Sequence, residues 1–200
     1  MLNKIVGDPG IFAIQYQPFP NNANYEPSAK MALCHMIINN QLIGNPIEEC
    51  YLPSWLFNLT DRRNRIDQQR HYLFPKEFEE LSDREIFESI LKSNQLEEEF
   101  QADFLYLPQL TNEFWNAHHF TIDETIDRYL IYFYVRNDRI TLLIEDDSKV
   151  KGDMERSFQF IFKTLDLNSF IRTIDEMTYF LLEQYPYLQQ NVSDRKFPLK

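Results

Sequence analysis

The sequence predicts an α+β fold: a mainly antiparallel sheet of five to seven strands, with a C-terminal helix and a central, acidic helical insert packed against it. Three observations carry that prediction. Two β-branched and aromatic runs, Arg128 to Arg136 and Arg139 to Glu145, are separated only by Asn137 and Asp138. Those two residues tolerate the positive φ of a tight hairpin turn. A second pair of apolar runs, Met31 to Ile38 and Gln41 to Ile43, turns in the same way at Asn39 and Asn40. Near the C-terminus, Phe170, Ile171, Ile174, Met177, Leu181 and Leu182 recur at helical spacing.

In chain order, Ile11 to Gln17 reads as a strand entered through the turn Gly7-Asp8-Pro9-Gly10. Pro18, Pro20 and Pro27, interleaved with asparagines, predict a loop that cannot join a sheet ladder. The Met31–Ile43 hairpin follows and ends at Gly44. Pro53 then opens a helix with Trp55, Leu56, Leu59 and Ile66 on one side, whose later turns are expected to expose Arg62, Arg63, Arg65 and Arg70. Ser82-Asp83-Arg84-Glu85 fits a capping box, and Ile86, Phe87, Ile90 and Leu91 form a narrow apolar stripe after it. The stretch 104–116 carries no assignable pattern. The Arg128–Glu145 hairpin is apolar on both faces, which predicts a central place in a sheet covered on each side. Phe158, Phe160 and Phe162 alternate along a further strand, Ser157 to Lys163, and the last helix, capped by Asp166 or Asn168, is expected to pack on that phenylalanine face.

With 200 residues, 44% of them hydrophobic, the chain can bury a full core as one domain over 1–200. The net charge is −11, from 31 acidic side chains against 20 Lys and Arg. A nucleic-acid binder needs a positive footprint, so this surplus argues against DNA or RNA and fits solubility or a basic protein partner. The N-terminus has no apolar signal region and no run approaches the ~20 residues of a membrane span. The expectation is a cytoplasmic protein with no membrane partner, in which Cys34 and Cys50 are reduced thiols. None of Gly7, Gly10, Gly44 and Gly152 falls in a P-loop or dinucleotide fingerprint.

Several side chains invite a chemical reading. His118 and His119 with Asp123 and Glu124 suggest a metal, but adjacent histidines on a strand point to opposite sides and no ligand spacing supports a site. His35 and His71 stand alone. Asp147 and Lys149 form an Asp-x-Lys pair of the kind that holds a metal and activates water in nucleases, which gives the alternative reading, a small metal-dependent hydrolase or nuclease. That pair falls in a turn after a strand, amid charge that repels DNA. Ser54 lacks a nucleophile elbow, and Cys34 has apolar neighbours that favour an inert thiol. No catalytic residue, metal ligand or cofactor is assigned.

The remaining candidate is the acidic insert over about 76–103. Glu77, Glu79, Glu80, Asp83, Glu85, Glu88, Glu97, Glu98, Glu99 and Asp103 face only Lys76, Arg84 and Lys92, a local charge of −7. Such a block is either a solvated face or a patch that captures a positively charged protein, with Trp115 as an aromatic anchor.

Four segments resemble a known family. Gly7 to Tyr16, Met36 to Gly44, Tyr51 to Leu56, and Asp123 to Ile131 with its hairpin are similar to the bacterial polymorphic-toxin immunity proteins of the immunity protein 42 family. The resemblance implies a cytoplasmic antidote that binds and blocks one cognate toxin domain, with no enzymatic activity and no cofactor. It combines with the acidic insert to predict occlusion of a basic, nuclease-like toxin surface.

Overall fold

A computed structural model describes residues 3–18, 30–93, 112–123, 126, 129–146 and 160–192. Its strands form two antiparallel sheets. The first, in the order β1 (Lys4–Asp8), β2 (Phe12–Pro18), β3 (Met31–Ile38), β4 (Gln41–Ile43), also pairs β5 (Cys50–Tyr51) onto β3. The second is β6 (Tyr129–Arg136), β7 (Arg139–Asp146) and β8 (Ile161–Asp166). The helices are α1 (Leu52–Gln69), α2 (Asp83–Ser93), α3 (Asn112–His118) and α4 (Leu167–Gln184).

Turn chemistry sets both predicted hairpins. Asn39 and Asn40 hold φ of 53° and 62°, and Asn137 and Asp138 hold 52° and 55°, the left-handed values that these short polar side chains tolerate. The β6–β7 register runs from Tyr129 opposite Asp146 to Arg136 opposite Arg139. Within β1, Gly7 lies opposite Ala13 with a φ of 94°. A Cβ there would lie 2.5 Å from the Phe12 carbonyl oxygen and 2.9 Å from Thr173 Cγ2, so only glycine lets β1 approach α4 this closely.

The α4 helix organises the main core. Asp166 caps it, its carboxylate accepting from the Ser169 N–H at 2.7 Å. All six predicted apolar positions, Phe170 to Leu182, are buried. Phe170 meets Phe12 of the first sheet at 4.7 Å and Phe120, outside both sheets, at 6.0 Å by ring centroids. One face of the second sheet, with Ile131, Phe133, Val135, Leu142 and Leu165, joins this core. Its other face, with Tyr132 and Leu143, packs under α2 in a separate aromatic cluster with Phe78 and Phe87. The β6–β7 hairpin is thus covered on each side, as its two apolar faces require.

Four local expectations are corrected. β7 is the central strand of its sheet and β6 an edge, whose outer groups are met from outside: Val135 N–H donates to the Leu73 carbonyl at 3.1 Å, and Phe120 N–H to that of Ile131 at 2.8 Å. α4 packs on the Ile161 and Leu165 face of β8, not on the phenylalanines. Phe160 turns to the α2 side, 5.3 Å from Phe87, and Phe162 is 56% exposed; Phe158 lies outside the described residues. Pro18 does enter a ladder, as the last residue of β2 opposite Ala32, where a missing N–H is tolerated; Pro20 and Pro27 lie outside the described residues. Arg63 is not displayed to solvent. Its side chain is 11% exposed and forks onto Asp175 of α4, at 2.8 and 2.9 Å.

Candidate partner-binding surface

The acidic stretch is built on one side of the second sheet. Ser82 and Glu85 close the predicted capping box: the Glu85 carboxylate accepts from the Ser82 N–H at 2.8 Å and from its hydroxyl at 2.6 Å. Those bonds hold the Glu85 carboxyl below the usual carboxylate range. The buried stripe Ile86, Phe87 and Ile90 then docks α2 over Tyr132 and Leu143. Polar links fix its orientation. The Tyr134 hydroxyl donates to Asp83 at 2.7 Å, and Arg84 reaches Glu88 at 2.9 Å and Glu145 at 2.8 Å while its guanidinium lies 5.1 Å from the Phe160 ring centre.

Three of the predicted site carboxylates are therefore occupied within the chain: Asp83 by Tyr134, Glu85 by the cap, and Glu88 by Arg84. Glu77, Glu79 and Glu80 are different. The short 3-10 turn Lys76–Phe78 sends Phe78 inward, against Phe74, Phe114 and His118, which leaves these three glutamates exposed. Glu97, Glu98, Glu99 and Asp103 lie outside the described residues, as do Asp147 and Lys149.

Trp115 is half-buried on α3, a helix the sequence reading did not assign. Its indole stacks on His119 with centroids 4.0 Å apart, and its N–H donates to the Tyr132 hydroxyl at 3.3 Å. Phe114 stacks on His118 likewise, at 4.4 Å. These two aromatic pairs at spacing i, i+4 are the signal that marks the helix. The histidines leave this helix in different directions. His118 enters the aromatic cluster and its Nδ1–H donates to the Phe114 carbonyl at 2.9 Å, while His119 meets the Thr121 hydroxyl at 2.8 Å. Burial lowers the His118 pKa; burial and then the nearby Arg62 charge push that of His119 down to about 4. Both are neutral at pH 7.

Among the described residues, no group of three or more His, Cys, Asp or Glu side chains is placed to hold a metal ion. Cys34 and Cys50 are free, buried thiols in contact, and burial raises the Cys34 pKa, which suppresses its nucleophilic form. No helix among the described residues is long and apolar enough to cross a membrane.

Beside the exposed glutamates lies a cleft of about 490 Å³ that sequence reasoning missed, because it joins distant segments. The end of α1 and the turn after it supply Arg70, His71, Phe74 and Glu79; the β6–β7 hairpin supplies Val135, Arg136, Asn137 and Asp138. Arg70 reaches Asp138 at 3.7 Å, and the Arg136 guanidinium lies over the Phe74 ring at 4.7 Å. Tyr72, next to His71, is 82% exposed.

The fold and this surface define an α+β protein of two antiparallel sheets that turns a charged, aromatic-backed exterior outward. Over residues 1–180 the sequence matches the family described as immunity protein 42, and the chain belongs to that family. It is a toxin-neutralising immunity protein, and its partner is a cognate toxin. The matched span contains all four segments noted in the sequence and also the acidic stretch. The fold is similar to that of the crystal structure of CdiI from Burkholderia dolosa AUO158, with a TM-score of 0.58 and 12% identity, covering 87% of this chain and 97% of that one. No curated protein matches the chain.

Proposed function

We propose that this immunity protein acts as a single-domain cytoplasmic antidote in a contact-dependent inhibition system, without catalysis, by occluding a basic surface of its toxin. The similarity in fold to a protein named CdiI supports the choice of system. The observation that carries the mode of binding is the division among the acidic side chains: Asp83, Glu85 and Glu88 hold α2 in place, while Glu77, Glu79 and Glu80 are exposed beside it. Exposed charges that fix no local structure suit long-range capture of an oppositely charged partner. Glu97, Glu98, Glu99 and Asp103 extend the same negative field in sequence, and Trp115 backs it with an aromatic ring.

The test requires the cognate toxin domain, sought as the C-terminal part of a large secreted protein encoded beside this chain. Co-expression with the immunity protein should restore growth, and the purified domains should bind. Glu77, Glu79 and Glu80 changed together to Lys, or Glu97, Glu98 and Glu99 likewise, should slow association about tenfold or more in low salt, with little change in dissociation. Unchanged association in both triple variants would reject capture by the acidic surface and leave immunity itself standing.

A further inference from the structure

We propose that the cleft between the end of α1 and the β6–β7 turn receives an acidic side chain of the toxin, one flanked on the toxin by basic residues. The inference rests on the immunity reading and deepens it. In a chain of net charge −11, this cleft places the cations Arg70 and Arg136 beside His71. Arg136 lies on the face of Phe74 and makes no ion pair among the described residues, so its N–H donors remain available in a fixed plane. A guanidinium held in that way matches a carboxylate, which can accept two parallel hydrogen bonds from it. Arg70, half-buried, is engaged among the described residues only by the exposed Asp138 at 3.7 Å.

The walls of the cleft restrict what enters. Glu79 and Asp138 line it with the arginines, so a free anion meets repulsion on the way in. A carboxylate presented between Lys or Arg side chains meets none, because its neighbours pair with Glu79 and with Glu77 and Glu80 outside. Val135 and Phe74 are the apolar members of its lining, and Tyr72, which follows the lining residue His71 in the chain, is exposed and supplies an aromatic anchor. The result is a surface of alternating sign. Glutamates speed encounter with any basic protein, whereas the arginine cleft accepts only a partner with an acid at the matching place.

The experiment measures the Kd of the cognate toxin domain, identified by its neutralisation on co-expression, by calorimetry against single variants. Arg136→Glu should weaken binding about a hundredfold, Arg136→Gln and Tyr72→Ala about tenfold each, and Arg172→Glu, an exposed arginine on α4, less than about twofold. Thermal unfolding of each variant confirms that it is folded; Arg136→Gln keeps the side-chain length if the charge reversal disturbs the hairpin. Restoration of Arg136→Glu binding by changing one toxin Asp or Glu to Arg would identify the inserted residue. Wild-type binding with both Arg136 variants within about twofold of it would overturn the cleft and leave the immunity reading intact. No binding by the wild-type chain would remove the reading on which the cleft rests.

Discussion

The two faces of the second sheet are covered by different chemistry. Toward α4 the buried side chains are mainly aliphatic: Ile131, Val135, Ile140, Leu142 and Leu165, with Phe133, on the sheet, and Ile171, Ile174 and Leu181, with Phe170, on the helix. Toward α2 and α3 the contact is aromatic and laced with polar links: Phe78, Phe87, Trp115 and Tyr132, tied by Tyr134 to Asp83, by Trp115 to Tyr132 and by Arg84 to Glu145. Apolar burial is non-directional and scales with area, so the first face supplies cohesion. Hydrogen bonds and stacked rings fix orientation at modest net energy, so the second face positions a surface. The exposed glutamates and the arginine cleft both adjoin the second face.

The largest test of this division compares two buried phenylalanines. Phe170→Ala opens a void beside Phe12 and Phe120, and should cost about 3–5 kcal/mol, a large fraction of a typical domain's stability. Phe87→Ala removes a ring of the same size from the aromatic layer. If that layer is an appended support, the variant loses less, and toxin affinity falls before global stability does. Urea unfolding followed by far-ultraviolet circular dichroism, with toxin binding measured beside it, separates the two. Equal losses in both variants would mean that the layers fold as one cooperative unit.

The next effect is electrostatic and lies wholly on the α4 side. Asp175→Ala removes the two-pronged partner of Arg63, whose contacts with Asp67 and Asn64, each at 3.3 Å, are monodentate, in a setting mostly shielded from water. A loss of about 2 kcal/mol is expected, read as a shift in urea midpoint, since a shielded charge is left underpaired. Toxin binding should not change, because this ion pair locks α1 to α4 and adjoins neither the glutamates nor the cleft.

How far this molecule could be read from its sequence follows the same line between the local and the remote. Both asparagine turns, the capping box and the spacing of α4 are decided by neighbours within a few residues, and each stands where the sequence put it. β1 was missed because an edge strand buries only Val6, leaving no alternation to detect. Arg63 was misplaced because its partner lies 112 residues away in the sequence. β8 was turned over because one of its faces is largely open: Phe162 is 56% exposed, and alternation reveals that two faces exist, not which of them the core covers. The same limit hid the surface: no pattern in 70–80 announces that Arg70 will stand beside Arg136. Residue types marked the acidic stretch well enough, but only packing divides carboxylates that build α2 from those that are free to meet a partner.

A smaller effect tests the polar links of the aromatic layer. Tyr134→Phe keeps the ring against Phe74, at 5.3 Å, and deletes the hydroxyl with its hydrogen bonds to Asp83 and Thr141. About 1 kcal/mol of stability should go, and the start of α2 should loosen, which faster amide exchange near Ser82 to Arg84 would register. Unchanged exchange there would mean that the apolar stripe alone orients the helix.

The smallest effect at neutral pH becomes the clearest one in acid. His119 titrates near pH 4 in the folded chain against an ordinary value of 6.5, because burial and the Arg62 charge disfavour its cation. The unfolded chain therefore binds the extra proton first. The contribution of His119 is complete above pH 6.5 and drains away as pH falls toward about 4. His118 is shifted in the same direction, and Glu85, also lowered, adds a loss once pH drops below its ordinary value of 4.5. All three belong to the aromatic layer or to the cap of α2, so acid should loosen that side first. The two tryptophans report separately, since Trp55 lies in the main core and Trp115 on α3. In single-tryptophan variants, Trp115 fluorescence should change at a higher pH than Trp55 fluorescence, and His119→Gln should narrow the gap. Coincident transitions would show that acid breaks the two faces together, whatever their chemistry.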